Sequence, residues 1–309
     1  MRSQTQKFDV VIVGGGPAGL SAAIWCADLG LQAAVFESSA TVGGQLERIY
    51  GPISNYPGLA AKNGSELRGH FVRHLEKAHI RPMTGMKVEM IDVFSRSVTL
   101  SNGESISGRA LILAMGVSRR RLDIPGEAKF AGRGILASGT LESGLAVGKT
   151  VIVVGGGDAA MENALILSET AKKVYLVHRR KEFSARPEFL KAVISRPNIH
   201  PLLERKMTEI NGDENVDSVV IEGPNTADRE ILPIDLVLVR IGVEPNSGLV
   251  REDLEVDRKG YIKVDGLCRT SVEGVYAIGD IANPIAPTIA GAVGQGATAA
   301  KHVAFERSN

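Results

Sequence analysis

The sequence predicts an α/β fold built from two units, each organised around a buried parallel sheet. An apolar run is followed at once by a glycine-rich turn at Val10–Gly19, and the same succession returns at Val151–Ala160. A third buried run ends in Gly279-Asp280, far beyond both turns. Strand and helix signals that alternate in this way are typical of parallel α/β sheets. The 309 residues are enough for two domains.

The composition excludes several classes of function. The chain is 44% apolar and 23% charged, as expected of a globular protein, and its net charge of +1 predicts no nucleic-acid or acidic-membrane partner. No apolar run reaches the roughly 18 residues of a membrane span. Met1–Lys7 is polar and lacks the core of a signal peptide. Only Cys26 and Cys268 are present, which favours a reducing, cytoplasmic location over a disulfide framework.

The first glycine turn has the spacing of a dinucleotide site. Val10–Val13 is β-branched and apolar, and Gly14-x-Gly16-x-x-Gly19 follows it and opens a helix. In such a turn the first glycine allows the tight bend, the second allows approach to a pyrophosphate, and the third allows close helix–strand packing. Glu37 lies 18 residues beyond Gly19, where an acid accepts from ribose hydroxyls. The alternative is a glycine-rich turn in some other α/β protein.

Loops, a helix and hairpin strands separate the two glycine turns. The irregular stretch from Val42 to Gly58 is long enough to indicate a functional loop. The pattern predicts a helix at Ser65–Ala78 and strands at Lys87–Val93, Ser97–Leu100 and Arg109–Leu113, with a hairpin turn at Ser101–Gly103. Ala114-Met115-Gly116 closes the last of these strands.

The second glycine turn differs from the first in the residue that follows its second strand. Gly155–Ala160 repeats the fingerprint with alanine in third place, and a helix is expected to continue to Thr170. The strand that follows ends in His178 instead of an acid, and Arg179 and Arg180 come next. Guanidinium groups in place of a ribose-binding carboxylate suit a 2′-phosphate, which predicts NADPH over NADH. The alternative is a solvated strand end.

The remaining chain predicts a return to the first sheet. The expected elements are a helix at Phe183–Ser195, two hairpins in Glu204–Pro233, a strand at Asp235–Ile241, a strand that begins at Val275, and a small-residue helix at Thr288–Ala304. Asp280 follows the last strand and is placed to reach a ribityl or phosphate group. The first N–H groups of the last helix are placed to reach a flavin carbonyl. Two nucleotide units and the late pair Gly279-Asp280 together indicate a flavoprotein.

Seven motifs carry a resemblance to a known family. They are Gly14–Gly19, Gly43–Leu46, Asn55–Gly58, Gly155–Asp158, His178–Phe183, Gly242–Asn246 and Ala277–Asp280. The chain resembles the low-molecular-weight thioredoxin reductases and their relatives, the thioredoxin-reductase-type ferredoxin–NADP reductases. The resemblance implies two Rossmann-like, three-layer domains and a homodimer. It places FAD in residues 1–116 and 247–309, and NADPH in an inserted domain at residues 117–246.

The residues expected to bind the cofactors follow from the fingerprints and the resemblance. They are Gly14, Gly16, Pro17, Ala18, Glu37, Gly44, Gln45, Tyr50, Asn55, Val88, Ala114, Gly116, Asp280, Gly279, Thr288 and Ile289 for FAD, and Gly157, Asp158, His178, Arg179, Arg180 and Gly242 for NADPH. No catalytic side chain and no metal site are expected, because the cofactors carry the chemistry.

One departure from the family pattern changes the expected activity. Thioredoxin reductases carry Cys-x-x-Cys shortly before the second fingerprint, and here that position reads Ser138-Gly139-Thr140-Leu141. Disulfide exchange needs an attacking thiolate and a resolving thiol, which serine and leucine do not supply. Cys26 and Cys268 lie in other motifs and are expected to be structural. The sequence therefore predicts an NADPH-dependent FAD oxidoreductase that passes electrons directly to an external acceptor.

The acceptor and some side-chain roles stay open at this point. Ferredoxin, flavodoxin, a quinone or another small molecule are candidates, and the alternatives are a small-molecule disulfide reductase or a non-catalytic FAD- and NADPH-binding sensor. Tyr50 either stacks on the flavin, packs in the core or lies in an exposed loop. Met115 replaces the usual threonine of its motif. Arg119–Arg121 is interpreted as a solvated linker, with docking of an acidic carrier protein as the alternative.

Overall fold

The computed structural model describes residues 6–225 and 228–308, so the expectation for residues 1–5 lies outside the described part. The chain divides into two compact units, Met1–Ser118 with Glu244–Asn309 and Arg119–Val243. The boundaries predicted at residues 117 and 246, and the assignment of one nucleotide to each unit, stay predictions. The predicted α/β class is confirmed.

Three consecutive segments of chain make up the two units, and the first and last segments together form the first unit. The elements of each segment are given in chain order. The first contains β1 (Gln6–Val13), α1 (Pro17–Asp28), β2 (Ala33–Phe36), α2 (Gly64–Lys77), β3 (Val88–Asp92), β4 (Ser97–Leu100), β5 (Ser105–Leu113) and β6 (Val117–Arg119). The second contains β7 (Ile135–Leu136), β8 (Thr150–Val154), α3 (Asp158–Ser168), β9 (Lys173–His178), α4 (Pro187–Ile194), β10 (Ile199–Leu203), β11 (Lys206–Gly212), β12 (Val216–Glu222), β13 (Arg229–Pro233) and β14 (Leu236–Val239). The return segment contains β15 (Val243–Pro245), β16 (Val275–Ala277) and α5 (Ile289–Ser308).

The first unit is organised around one mixed sheet. Its strand order is β2-β1-β5-β4-β3, and β16 also pairs with β5. β1 runs parallel to β2 and β5, with Val13 opposite Phe36 on one side and Leu113 on the other. β16 is also parallel to β5, so the ends of β1, β5 and β16 meet at one edge of the sheet. This edge collects the first glycine turn, Ala114–Gly116 and Gly279-Asp280.

The second unit contains a fully parallel sheet in the order β10-β9-β8-β14-β7. The chain leaves β8 toward β9 and β10, and later returns as β14 on the opposite side of β8. The reversal between β8 and β14 is the crevice at which dinucleotides bind in doubly wound sheets. The predicted hairpins form a separate antiparallel sheet, β11-β12-β13. Its β12–β13 loop contains Thr226 and Ala227, which lie outside the described residues.

One local prediction was wrong. The helix predicted from Phe183 begins at Pro187, because the Ser184 N–H donates to the Gly156 carbonyl at 2.8 Å and Arg186, before a proline, is extended. The interpretation of Arg119–Arg121 stays a prediction: Arg119 and Arg121 are exposed, while Arg119 donates to the Ala137 carbonyl and Arg120 Nε donates to the Val243 carbonyl at 3.0 Å. Within the described part of the chain, no helix is long and apolar enough to cross a membrane.

Candidate functional site

The first glycine turn brings its backbone close to the neighbouring strand. Gly14 has φ +111°, and a Cβ on it would lie 2.3 Å from the Ala114 carbonyl oxygen. A Cβ on Gly19 would lie 2.0 Å from the Gly14 oxygen, so helix α1 can approach β1 this closely only without a side chain there. Gly16, the N-cap of α1, has open space where a Cβ would be, which leaves room for a phosphate group.

Glu37 is fixed beneath this turn. Its side chain is 8% exposed. Oε2 accepts from the Gly15 N–H at 2.8 Å, and Oε1 accepts from the Ser39 N–H at 2.7 Å and the Ser38 hydroxyl at 3.2 Å. The carboxylate therefore orders the turn itself, and Oε2 retains a lone pair for a hydroxyl group of a nucleotide.

Asp280 supplies a second carboxylate at the same edge of the sheet. It lies in the single helical turn Gly279–Ile281 after β16, where burial raises its pKa. Among the described residues its side chain has no hydrogen-bond or ion-pair partner. The Gly279 N–H is held by Gln295 Oε1 at 2.7 Å. A half-buried carboxylate without a partner fits the hydroxyl-rich ribityl chain of a flavin nucleotide, which would supply the missing donors.

The Gly43–Gln45 loop packs against the first turn. The Gly43 N–H donates to the Gly15 carbonyl at 2.8 Å, and a Cβ on Gly44 would lie 3.0 Å from the Gly16 Cα. Gln45 Nε2 donates to the Val117 carbonyl at 2.7 Å, just past the end of β5. The structure thus brings together predicted residues from four segments, Gly14–Ala18, Gly44-Gln45, Ala114–Gly116 and Gly279-Asp280.

No hydrogen bond or ion pair among the described residues joins the other residues predicted to bind FAD to the four segments around the first glycine turn. Asn55 is exposed, and Tyr50 is half-buried outside the core clusters. The Val88 side chain lies in the core of the sheet, so only its backbone is available to a ligand. Thr288 precedes α5, where its hydroxyl accepts from the Gly291 N–H at 3.1 Å, and Ile289 is the first residue of that helix. Their cofactor contacts stay predictions.

The second glycine turn repeats the first in the other unit. Gly155 has φ +152°, and a Cβ on it would lie 2.1 Å from the Arg240 carbonyl oxygen. Gly157 caps α3, and a Cβ on it would lie 4.0 Å from the Ser184 hydroxyl oxygen. Asp158, the first residue of α3, is engaged by the chain, because it accepts from the Arg186 N–H at 2.8 Å and from Arg186 Nε at 2.7 Å. This contact fixes the loop after β9 against the start of α3.

His178 packs directly over this turn. A Cβ on Gly156 would lie 2.3 Å from its ring, and the ring stacks on Phe183 at a centroid distance of 5.5 Å. Burial, followed by the charge of Arg180, lowers the pKa of His178, so the ring is neutral at pH 7. Its Nε2 atom is buried without a partner among the described residues. The side chains of Arg179 and Arg180 are exposed at the strand end. This group fits a phosphorylated nucleotide.

Both cysteines are buried away from these turns. Cys26 lies on α1 and Cys268 lies shortly before β16, and both belong to the apolar cluster between α1, the sheet and α5. Burial raises the pKa of Cys26 to about 12 and that of Cys268 to about 11. Neither thiol is therefore ionised at neutral pH, which removes the nucleophilic form. Ser138 and Leu141 occupy the positions expected for a redox pair.

Sequence reasoning missed two arginines of the second unit. Arg186 holds Asp158, and the only signal in the sequence was a charge before Pro187. Arg240 follows β14 and contacts both Val239 and the chain after β7. It is the single charge within the apolar run Leu236–Ile241, and that position at a strand end was a usable signal.

Comparison with known proteins identifies the family. Residues 8–296 match the family described as pyridine nucleotide-disulphide oxidoreductase. The chain belongs to this family. It is 35% identical over 288 residues to the thioredoxin reductase of Mycolicibacterium smegmatis, covering 91% of this chain and 90% of that protein. The predicted resemblance to thioredoxin reductases is thereby confirmed, and the chain is a thioredoxin reductase-like FAD oxidoreductase by family.

A solved structure and a longer relative complete the comparison. The thioredoxin reductase of Lactococcus lactis is similar with a TM-score of 0.83 and 28% identity, over 97% of this chain and 98% of that one. The bifunctional thioredoxin reductase/thioredoxin of Mycobacterium leprae is 34% identical over 94% of this chain. The chain spans 64% of the length of that relative. Membership of the oxidoreductase family thus rests on nearly the whole chain.

Proposed function

We propose that this pyridine nucleotide-disulphide oxidoreductase passes electrons from NADPH to an external acceptor without using a protein disulfide. FAD, when bound, supplies the hydride-accepting and electron-donating chemistry. The protein residues bind, orient and shield the two nucleotides. The proposal assigns FAD to residues 1–116 and 247–309 and NADPH to residues 117–246.

The main support for this function is that the expected redox pair is replaced by Ser138 and Leu141 and that both cysteines are buried. Ser138 is 7% exposed, and its hydroxyl accepts from the Leu141 N–H at 3.2 Å. A serine hydroxyl held in a backbone turn cannot exchange with a disulfide, and Leu141 offers no sulfur. Cys26 and Cys268 are buried, and their raised pKa values keep them protonated. The electrons therefore leave for an acceptor outside the chain.

Each unit holds its nucleotide by a different charge pattern. In the first unit, Glu37 and Asp280 are carboxylates that accept from hydroxyl groups, as an FAD ribose and ribityl chain require. In the second unit the corresponding strand end carries His178, Arg179 and Arg180 in place of an acid. Cations there favour the 2′-phosphate of NADPH over the free hydroxyl of NADH.

We expect a cytoplasmic homodimer with no nucleic-acid partner, and an acceptor that is either a small electron carrier protein or a small molecule such as a quinone. Since the thiols are inert, a disulfide-containing acceptor would have to bring its own sulfur chemistry.

Anaerobic mixing with NADPH tests the proposal. The FAD-loaded protein should lose its flavin absorbance band with one equivalent of NADPH and regain it when ferricyanide is added. NADH at the same concentration should bleach the band more slowly. A protein that binds NADPH but keeps its flavin band would be a sensor, and a protein whose flavin is reoxidised only by thiol-disulfide substrates would be a disulfide reductase. Either result contradicts the proposal.

A further inference from the structure

The segment after β9 lies across the second glycine turn and is bound to it at two points. The Ser184 N–H donates to the Gly156 carbonyl at 2.8 Å. Two residues later, the Arg186 N–H donates to Asp158 Oδ1 at 2.8 Å, and Arg186 Nε donates to Asp158 Oδ2 at 2.7 Å. The chain from Ser184 to Arg186 is therefore held along the turn that leads into α3.

The Ser184 hydroxyl borders the space in front of Gly157. A Cβ on Gly157 would lie 4.0 Å from the Ser184 hydroxyl oxygen, and no other described atom beyond the adjoining residues would come within 4 Å of it. A pyrophosphate approaches the second glycine of such a turn because that glycine has no side chain. Ser184 is exposed, so its hydroxyl lies at the edge of a space that a phosphate group can enter.

The Ser184 hydroxyl can change its acceptor at little cost. It donates to the Gly156 carbonyl at 3.2 Å, whereas the Ser184 N–H donates to the same oxygen at 2.8 Å. When the hydroxyl proton turns toward a ligand, the carbonyl therefore keeps the shorter of its two hydrogen bonds. The N–H bond meanwhile keeps Ser184 beside the turn.

The start of α3 is suited to an anion. Gly157 caps the helix without a side-chain hydrogen bond, so the protein does not cap the first N–H groups of α3 with a side chain of this residue. Asp158 would place a negative charge there, but its carboxylate is paired with Arg186. The ion pair offsets the repulsion of a phosphate, and in a unit of this fold the anion at this helix end is the nucleotide pyrophosphate.

We propose that the Ser184 hydroxyl donates a hydrogen bond to the pyrophosphate of the bound nicotinamide nucleotide, and that the Asp158–Arg186 pair positions Ser184 for this contact. The inference rests on the proposed function, since it adds a binding residue to the site assigned to NADPH. NADPH and NADH share the pyrophosphate, whereas only NADPH carries the 2′-phosphate assigned to Arg179 and Arg180. Ser184 therefore adds affinity for both nucleotides and no preference between them.

Equilibrium binding to the FAD-loaded enzyme tests the contact. Ser184→Ala should bind NADP⁺ about tenfold more weakly than the parent in calorimetric titrations, because a hydrogen bond to a charged group is lost. Ser184→Thr keeps the hydroxyl and should stay within about threefold of the parent. Binding of 2′-AMP, which carries the 2′-phosphate without a pyrophosphate, should be the same in the parent and in Ser184→Ala.

Ferricyanide reduction tests the same contact during turnover. In Ser184→Ala, kcat/KM should fall about tenfold for NADPH and by the same factor for NADH, with kcat at saturating NADPH within about twofold of the parent. The matched control is Ser195→Ala, which removes another exposed hydroxyl of the second unit, one that donates to the Ala192 carbonyl at 2.8 Å. This control should change none of the values.

A double-mutant cycle tests the positioning pair. Arg186→Gln should weaken NADP⁺ binding, and the addition of Ser184→Ala to this variant should cost less than about threefold, because the hydroxyl is no longer held in place. If Ser184→Ala costs the same factor in the parent and in Arg186→Gln, the Asp158–Arg186 pair does not position Ser184.

The outcomes separate this inference from the proposed function. If Ser184→Ala binds NADP⁺ as tightly as the parent while NADPH still bleaches the flavin, the inference is wrong and the proposed function stands. A loss confined to NADPH and 2′-AMP would place the hydroxyl at the 2′-phosphate and would also overturn the inference. If NADPH fails to bleach the flavin while the binding pattern holds, the proposed function fails and the Ser184 contact stands. A parent enzyme that binds no NADP⁺ would contradict both.

Discussion

Replacement of Glu37 should affect the apoprotein as well as the cofactor. The carboxylate accepts two backbone N–H groups, from Gly15 at 2.8 Å and from Ser39 at 2.7 Å. The Gly15 contact is buried, so its N–H has no water to replace the lost partner. In Glu37→Ala both donors lose their acceptor, and the glycine turn loses the group that orders it.

The expected cost follows from these two contacts. A buried donor left without its partner costs about 1–3 kcal/mol, and the half-exposed Ser39 N–H, which water can reach, costs less. We therefore expect Glu37→Ala to lower the free energy of unfolding by about 2–4 kcal/mol. Glu37→Gln should cost nearly as much, because its carboxamide oxygen can replace only one acceptor and its NH₂ group then faces an N–H donor.

Urea unfolding of the FAD-free protein measures this effect. Glu104→Gln is the matched control, since Glu104 accepts from Asn102 on an exposed hairpin and its loss should change the free energy of unfolding by less than about 0.5 kcal/mol. FAD affinity should fall further in both Glu37 variants. Unfolding curves of Glu37→Ala that match the parent would refute the role of this carboxylate in ordering the turn.

Three further predictions concern the two nucleotide sites. Arg179→Ala with Arg180→Ala should raise KM for NADPH about tenfold or more in steady-state kinetics and leave KM for NADH unchanged. Asp280→Asn should weaken FAD binding yet raise the Tm of the apoprotein at pH 7, because burial raises the native pKa of Asp280. This gain in Tm should vanish below about pH 4, where the parent carboxyl is protonated in both the folded and the unfolded protein. Gly16→Ala should fold with normal Tm and lose FAD, whereas Gly19→Ala should lose about 2 kcal/mol or more of stability because its Cβ meets the Gly14 oxygen.

The strands and glycine turns could be predicted because their causes are local. Val10–Val13 and Val151–Val154 are apolar runs long enough for buried strands, and both are strands in the structure. The glycines that follow them are required by backbone contacts within the same unit, such as the approach of Gly14 to Ala114. A pattern of this kind is visible within about 30 residues of sequence.

Features that depend on distant segments could not be predicted. The start of α4 at Pro187 depends on a bond from Ser184 to Gly156, and the pairing of Asp158 with Arg186 joins residues that no spacing rule connects. The shared contact of Arg240 and Arg119 with the Ala137 carbonyl requires the ends of two strands to meet. Only the sheet order brings these groups together, and sequence patterns do not specify it.

Turnover without cysteines is the most direct test of the central claim. The double variant Cys26→Ala with Cys268→Ala keeps small side chains in the apolar cluster between α1 and α5, and its flavin spectrum reports whether it is folded and loaded. The rate of NADPH-driven reduction of naphthoquinone should equal that of the parent within about twofold, because neither thiol is ionised at neutral pH. Loss of that turnover in a variant that still binds FAD would show that a cysteine carries the electrons, and would contradict the account.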